Sequence, residues 1–218
     1  MSQLLDESLI EDSKNETSPV ATLPAPPLPP ARGQIVAATY TLSVAQYDRM
    51  IEAGILPENE HIELIEGDIT EMAAVGKRHA SRVKYLNRNL NRLVGDKAIV
   101  SVQDPIQLDD LSEPEPDIAL LTRRDDFYRH QLPRPADVLL IIEVADSSLE
   151  YDRRTKLPLY ARAGIREFWL VNLIEERIEI YTEPANGAYT KVAYIKRGEA
   201  LISVTMPDIT LDAEALLA

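Results

Sequence analysis

A mixed β-sheet flanked by helices, ending in C-terminal β-hairpins, is the α/β fold that this sequence predicts, on three observations. Helical and strand periods alternate from "SVAQYDRMIEAGIL" to "EFWLVN", the pattern of a sheet with covering helices. "VLLIIEVA" is apolar on both faces, as a central strand is. Beyond it, strand patterns are separated by turn signals such as Asn186-Gly187 and Arg197-Gly198, which read as hairpins.

The elements follow in order. Residues 1–38 are Pro-rich, charged early and aperiodic, and are expected to be a flexible leader to a single domain over 39–218. Ser43 is a plausible N-cap for a helix carrying Val44, Tyr47 and Ile51, stopped at Gly54. "HIELIEGDITEM" alternates as a strand with a tight bend at Gly67. "KRHASRVKYLNRNLNRLVG" is an amphipathic helix with Val83, Leu86, Leu90, Leu93 and Val94 on one stripe and Gly95 as its stop. "AIVSVQ", "PIQL" and "DIALL" are short strands, and 150–163 is a helix with Pro158 in its first turn or at a kink. Trp169 is expected in the core.

Composition narrows the function classes. The 218 residues contain no cysteine, which excludes disulfides and thiolate zinc sites. No apolar run approaches the roughly 18 residues of a membrane span, and the acidic N-terminus lacks the features of a signal peptide. A cytoplasmic protein without a membrane partner is expected. The net charge of −13 opposes indiscriminate binding to nucleic acid. Locally the balance reverses: residues 77–97 hold seven Lys and Arg against one acid. Lys77, Arg78, Lys84, Arg88 and Arg92 gather on one side of the predicted helix, which is either a solvated face or a phosphate-binding stripe.

The chemistry centres on Glu143, placed inside the apolar run "LLIIEVADSS". A carboxylate there is costly unless a cation, a metal or hydrogen-bond donors meet it. Upstream, Asp117 opens the strand of "EPEPDIALL". Two carboxylates on adjacent strands suit one hard divalent cation, though a structural pair is also compatible with the pattern. Lys156, on the helix after the Glu143 strand, has Asp152 and Tyr160 one turn to either side and is placed to steady developing negative charge. Tyr160 reads as packing.

"PEPDIAL" and "IIEVADSSLEYDRRTKLPLYARAGIREFWLVN", together with "HIELIEGDI" and His79 upstream, resemble the Uma-type restriction endonuclease family of the PD-(D/E)XK nuclease superfamily, over roughly residues 40 to 215. The resemblance implies a restriction-endonuclease-like fold, a Mg²⁺ or Mn²⁺ cofactor, and DNA as substrate. It makes Asp117 and Glu143 the metal ligands, with the Val144 carbonyl as a third. The superfamily places its lysine two residues after the glutamate, where this chain has Ala145; in the resembled family a lysine of the next helix takes that role, here Lys156. Glu63 and His79 match family positions near the site. Glu63 otherwise reads as the partner of a surface arginine, and His79 as a core histidine on the side of Val83 and Leu90. Double-strand cleavage would call for a homodimer, with Tyr181 and Ile195 of the late hairpins as candidate interface residues. The rival expectation is a catalytically inactive module of the same fold that binds nucleic acid or protein.

Overall fold

The computed structural model describes residues 40–56, 62–72 and 76–218, all within the unit Tyr40–Ala218. The expected leader over 1–38 lies outside the described residues.

Helix α1 (Val44–Glu52) opens with a capping box in which Ser43 and Gln46 exchange hydrogen bonds, satisfying two otherwise orphaned N–H groups. Its buried Tyr47 donates to the Ile62 carbonyl at 2.9 Å and so fastens α1 to the hairpin β1 (Ile62–Ile65) and β2 (Asp68–Glu71). The bend is Glu66-Gly67, both at positive φ. A Cβ on Gly67 would lie 2.6 Å from the Thr41 side chain, so glycine is required there on two counts. A bridge between Leu64 and Glu113 joins the hairpin to the segment leading into the main sheet.

Helix α2 (Lys77–Val94) buries Val83, Leu86, Leu90 and Val94. Leu93, expected on that stripe, is 37% exposed: ten residues beyond Val83, it lies roughly 80° off the stripe at 3.6 residues per turn. A 3₁₀ turn leads into the six-stranded sheet, ordered β3 (Ala98–Ser101), β4 (Ile118–Thr122), β5 (Val138–Ala145), β6 (Glu167–Asn172), β7 (Arg177–Ala185), β8 (Ala188–Lys196). Only β5 and β6 run parallel. Their crossover is a helical segment of three parts: α3 (Leu149–Tyr151), a π-helical turn (Asp152–Lys156) and α4 (Leu157–Arg162). Pro158 falls in the first turn of α4, where its missing N–H costs nothing. Short strands β9 (Ala200–Ile202) and β10 (Thr210–Asp212) pair with each other before α5 (Ala213–Leu217).

"PIQL" is not a strand. It lies extended, with Ile106 and Leu108 donating to the Pro114 and Ser112 carbonyls. Pro105, Pro114 and Pro116 lack the N–H groups that a ladder needs.

Strand alternation sorts the sheet into two packed faces. Leu140, Ile142 and Val144 of β5 join Ile118, Leu120 and Trp169 beneath α2 and α5. Ile141 and Ala145 join Ala119, Leu121, Phe168 and Leu170 beneath α4. Glu143 therefore points to the α4 face, where no apolar neighbour can satisfy it. The hairpin residues Tyr181 and Ile195, the candidate interface residues, pack on these cores as half-buried side chains. Tyr181 stacks on Phe168 at 5.9 Å. The exposed apolar side chains of this region are Val192, Tyr194, Ile202 and Val204.

Candidate active site

The β4–β5 register pairs Ile118 with Ile142, so one step further along the two strands Asp117 stands beside Glu143. The backbone N–H of Asp117 donates to Glu143 Oε2 at 3.1 Å, and the N–H of Val144 donates to Asp117 Oδ2 at 2.9 Å. By the same register the next position facing Val144 is Pro116, which has no N–H. The Pro-Asp sequence thus ends the ladder at this point and leaves the Val144 carbonyl without a strand donor.

Three further elements complete the cluster. From β1, Glu63 is 2% exposed, and its Oε1 accepts from Lys156 Nζ at 2.8 Å and from the Glu115 N–H at 3.0 Å. From α2, His79 Nε2 meets Asp117 Oδ2 at 2.8 Å, while Gln103 donates to Asp117 Oδ1 at 3.2 Å. From the crossover, Lys156 Nζ also lies 3.0 Å from Glu143 Oε1, and the Tyr160 hydroxyl donates to the same oxygen at 2.8 Å. Asp152, 3% exposed, takes a hydrogen bond from Ser148 at 2.7 Å.

These side chains, apart from Tyr160 behind Glu143, line a cleft of about 160 Å³, with Asp146, Ser147 and Gly76 at its walls. Six carboxyl groups (Glu63, Glu115, Asp117, Glu143, Asp146 and Asp152) face it, against one lysine and one histidine. The cleft holds more carboxylate than it can keep ionised. Burial pushes Glu143 up to about 8, with Lys156 opposing and Asp117 adding to the rise. Burial likewise raises Glu115 to about 7, with the charge of Glu63 assisting, and Asp152 to about 6 against the pull of Lys156. Burial works against the Lys156 ammonium, but Glu143, Glu63 and Asp152 outweigh it and hold the pKa well above the ordinary lysine value. His79 is raised because Asp117 overcomes its desolvation.

The predicted site residues Asp117, Glu143, Lys156, Glu63 and His79 converge here, with Val144 alongside. Glu63 pairs with Lys156 and not with a surface arginine. Lys156 and Asp152, one turn apart on the crossover, are both buried. The basic residues Lys77, Arg78, Lys84, Arg88 and Arg92 lie outside the cluster as an exposed row on α2, and Arg78 approaches Glu176 at 3.9 Å. Sequence reasoning missed Gln103 and Glu115, which sit in irregular segments without a period. Tyr160 was expected only to pack; it packs against Phe168 at 5.4 Å and also serves Glu143. Its spacing of four residues from Lys156 was the available signal.

Whether these residues suit a hard cation can be tested on their lone pairs. Each carboxylate offers about four acceptor positions. Asp117 Oδ2 spends two on His79 and Val144, and Glu143 Oε1 spends two on Tyr160 and Lys156. Asp117 Oδ1 and Glu143 Oε2 each receive a single donor, so each has capacity left, next to the free Val144 carbonyl. Glu63 Oε2 is buried with no partner. Among the described residues no three acidic or histidine side chains converge tightly enough to hold a metal alone. Two carboxylates and a carbonyl suit Mg²⁺, which keeps several of its waters. The donor set fits.

The family model described as "Uma2: Putative restriction endonuclease" matches residues 44–214. No curated protein matches the chain. Among solved structures, a "putative nuclease belonging to DUF820 from Anabaena variabilis" superposes with a TM-score of 0.61 at 17% identity, covering 81% of this chain and 97% of that one. That likeness concerns the fold: a restriction-endonuclease-like mixed sheet flanked by helices. With the family model spanning most of its length, from α1 to α5, the chain belongs to the Uma2 family.

Proposed function

We propose that the protein is a metal-dependent endonuclease that hydrolyses phosphodiester bonds in DNA, with residues 39–218 as its nuclease domain. The observation that carries this reading is Lys156. Its ammonium is buried between Glu63 and Glu143 in a cleft with surplus carboxylate, an arrangement costly to stability alone and suited to steadying charge on phosphorus.

Asp117, Glu143 and the Val144 carbonyl would hold Mg²⁺ or Mn²⁺. Bound there, the cation supplies a Lewis acid for the phosphate and compensates the buried carboxylates. Lys156 is preorganised by Glu63, Glu143 and the surrounding burial, so its donors need no reorientation as negative charge develops. Glu63 Oε2, buried without a partner, is the acceptor for a proton from the attacking water. His79 orients Asp117 through Nε2, and its Nδ1 is buried without a partner. Tyr160 fixes the Glu143 rotamer.

Lys77, Arg78, Lys84, Arg88 and Arg92 are assigned to the DNA backbone, since an acid-lined cleft repels phosphate and needs cations nearby to bring it in. A two-fold dimer belongs to the same reading, because both strands must be cut. The open edge of β8, with Val192 45% and Tyr194 50% exposed, is the surface assigned to it; a monomer mass by light scattering at micromolar concentration would remove that part.

The test is cleavage of supercoiled plasmid with Mg²⁺, with Mn²⁺ and with chelator. Nicked and linear products that need the cation and vanish in Asp117→Asn are expected. A wild-type protein that shifts DNA in gels but never cuts it would favour the inactive-module reading, to which Ala145 in the superfamily's lysine position lends support.

A further inference from the structure

Lys156 reaches the cleft from the last residue of the π-helical turn Asp152–Lys156. Such a turn widens the helix by a residue and recurs at functional sites, where surrounding contacts hold it. Two sets of contacts hold this one. On one side Lys156 and Asp152 enter the acidic cleft. On the other, Arg153 leaves the same turn and reaches the β6–β7 hairpin, donating to Glu175 of its turn at 3.2 Å and to Glu179 of β7. Glu179 is 1% exposed and gathers three more donors: Arg177 at 3.1 Å, Asn172 at 3.2 Å and the Tyr181 hydroxyl at 2.5 Å.

The registers align these anchors. Glu143 of β5 pairs with Leu170 of β6, which pairs with Glu179 of β7, so the two glutamates lie on one line across the sheet, two strands apart. The crossover helix spans that line and sets one cation on each: Lys156 on Glu143, Arg153 on Glu179. Glu143 is met by a long flexible ammonium with surplus acid around it, a contact that constrains the ammonium more than the backbone that carries it. Glu179 takes four donors, three of them on Oε1, on a paired hairpin. We infer that the Arg153–Glu179 pair positions Lys156: it pins the π turn to β7, so that the ammonium can reach Glu143 and Glu63 only in the geometry observed. Arg153 and Glu179 are positioning residues. Their catalytic consequence rests on the role given to Lys156 above, but their structural consequence does not.

The test uses the full-length protein without DNA. Lysines are acetylated with an N-hydroxysuccinimide ester, and the rate at Lys156 is read by peptide mass spectrometry against the exposed Lys84. In Arg153→Met the Lys156 rate should rise roughly ten- to a hundredfold relative to Lys84, the change in local opening that follows loss of one charged hydrogen bond. Arg153→Lys, which keeps the charge and loses the fork, should fall between. Loosening spread through the whole protein, read as an equal rise in hydrogen exchange of the β4 and β5 amides, would overturn the assignment, as would an unchanged ratio in folded Arg153→Met. If the methionine variant does not fold, the lysine variant decides on the same ratio. Where the wild type cleaves, Arg153→Met should lose at least tenfold in kcat with KM for DNA unaltered, and an unaltered kcat rejects the positioning role. Where the wild type does not cleave, the nuclease reading fails and the acetylation ratio still decides this one.

Discussion

Glu143 and Glu167 are glutamates on the two parallel strands of the sheet, both buried, 3% and 0% exposed, and they have opposite fates. Glu167 is closed. Its Oε1 accepts from the Trp169 indole at 2.7 Å and the Val204 N–H at 2.9 Å; its Oε2 accepts from Ser203, from the Thr205 N–H and from the Thr205 hydroxyl at 2.7–2.8 Å. All five donors are neutral, none lines the acidic cleft, and the result staples the loop after β9 to the start of β6. Glu143 is open. It shares a lysine with Glu63, keeps acceptor capacity on Oε2 and faces a cavity lined by further acids. A buried carboxylate is therefore not itself a mark of a site. What marks one is incomplete satisfaction beside a space that something else can enter.

The comparison is broken most decisively at the two carboxylates proposed to hold the metal. Asp117→Asn and Glu143→Gln should bring cleavage below detection. They should also weaken Mg²⁺ binding, measured by calorimetry, by more than the roughly 10–100-fold that loss of an outer-shell partner costs. Lys156→Ala should instead leave Mg²⁺ affinity nearly intact and cost about 10²–10³ in kcat, the loss of a preorganised donor. Full activity in Lys156→Ala would reject the lysine's role and leave Ala145 as a sign that the site works without one.

At Glu167 the expected effect moves from rate to stability. Glu167→Gln turns an acceptor towards donors and should cost about 1–3 kcal/mol, or roughly 2–4 °C in Tm per kcal/mol in a chain of this size, with kcat unchanged. A matching loss of activity would mean that the two glutamates are not separate devices.

Acidity sharpens the same contrast. Glu143 is raised to about 8, and Glu113 and Glu115 to about 7, mainly by burial, and Asp152 to about 6. A carboxyl whose folded pKa exceeds its unfolded one binds protons more tightly when folded, so stability falls as pH rises between the two values. His79, raised by Asp117, loses its contribution in the same direction. The metal-free protein should therefore lose Tm between pH 5 and 8. Mg²⁺ should restore more at pH 8 than at pH 6, because protons compete with the cation. A shallower Tm profile in Glu143→Gln than in the wild type would assign part of the slope to Glu143; an equal slope in both would remove Glu143 from it.

Much of this was legible because cost leaves a trace in sequence. Glu143 interrupts an apolar run and Asp117 follows a proline, so both could be placed before any coordinates. Lys156 followed from helical spacing and from the family resemblance. The remainder was hidden for physical reasons. Gln103 and Glu115 lie in segments whose prolines suppress any period, and their position depends on long-range bonds such as Leu64 to Glu113. Tyr160 and a core tyrosine leave the same mark on a helical wheel. Glu167 opens its strand, where an acid reads as a surface residue, and four of its five donors come from more than thirty residues away.

The smallest expected effect concerns a region outside both glutamate networks. Lys84, Arg88 and Arg92 stand exposed along α2, in a protein whose net charge of −13 repels a phosphate backbone. If the row contacts DNA, each side chain that neutralises a phosphate releases a counterion, and log Kd depends on log salt with a slope near one per contact. Arg88→Gln and Arg92→Gln together should reduce that slope by about two. At low salt they should weaken binding only modestly and leave kcat at saturating DNA unchanged, because neither residue lines the cleft. Fluorescence anisotropy from 25 to 200 mM salt measures the slope directly. An unchanged slope would make the row a solvated helix face, and the cations that bring phosphate to an acidic cleft would have to be sought on another surface.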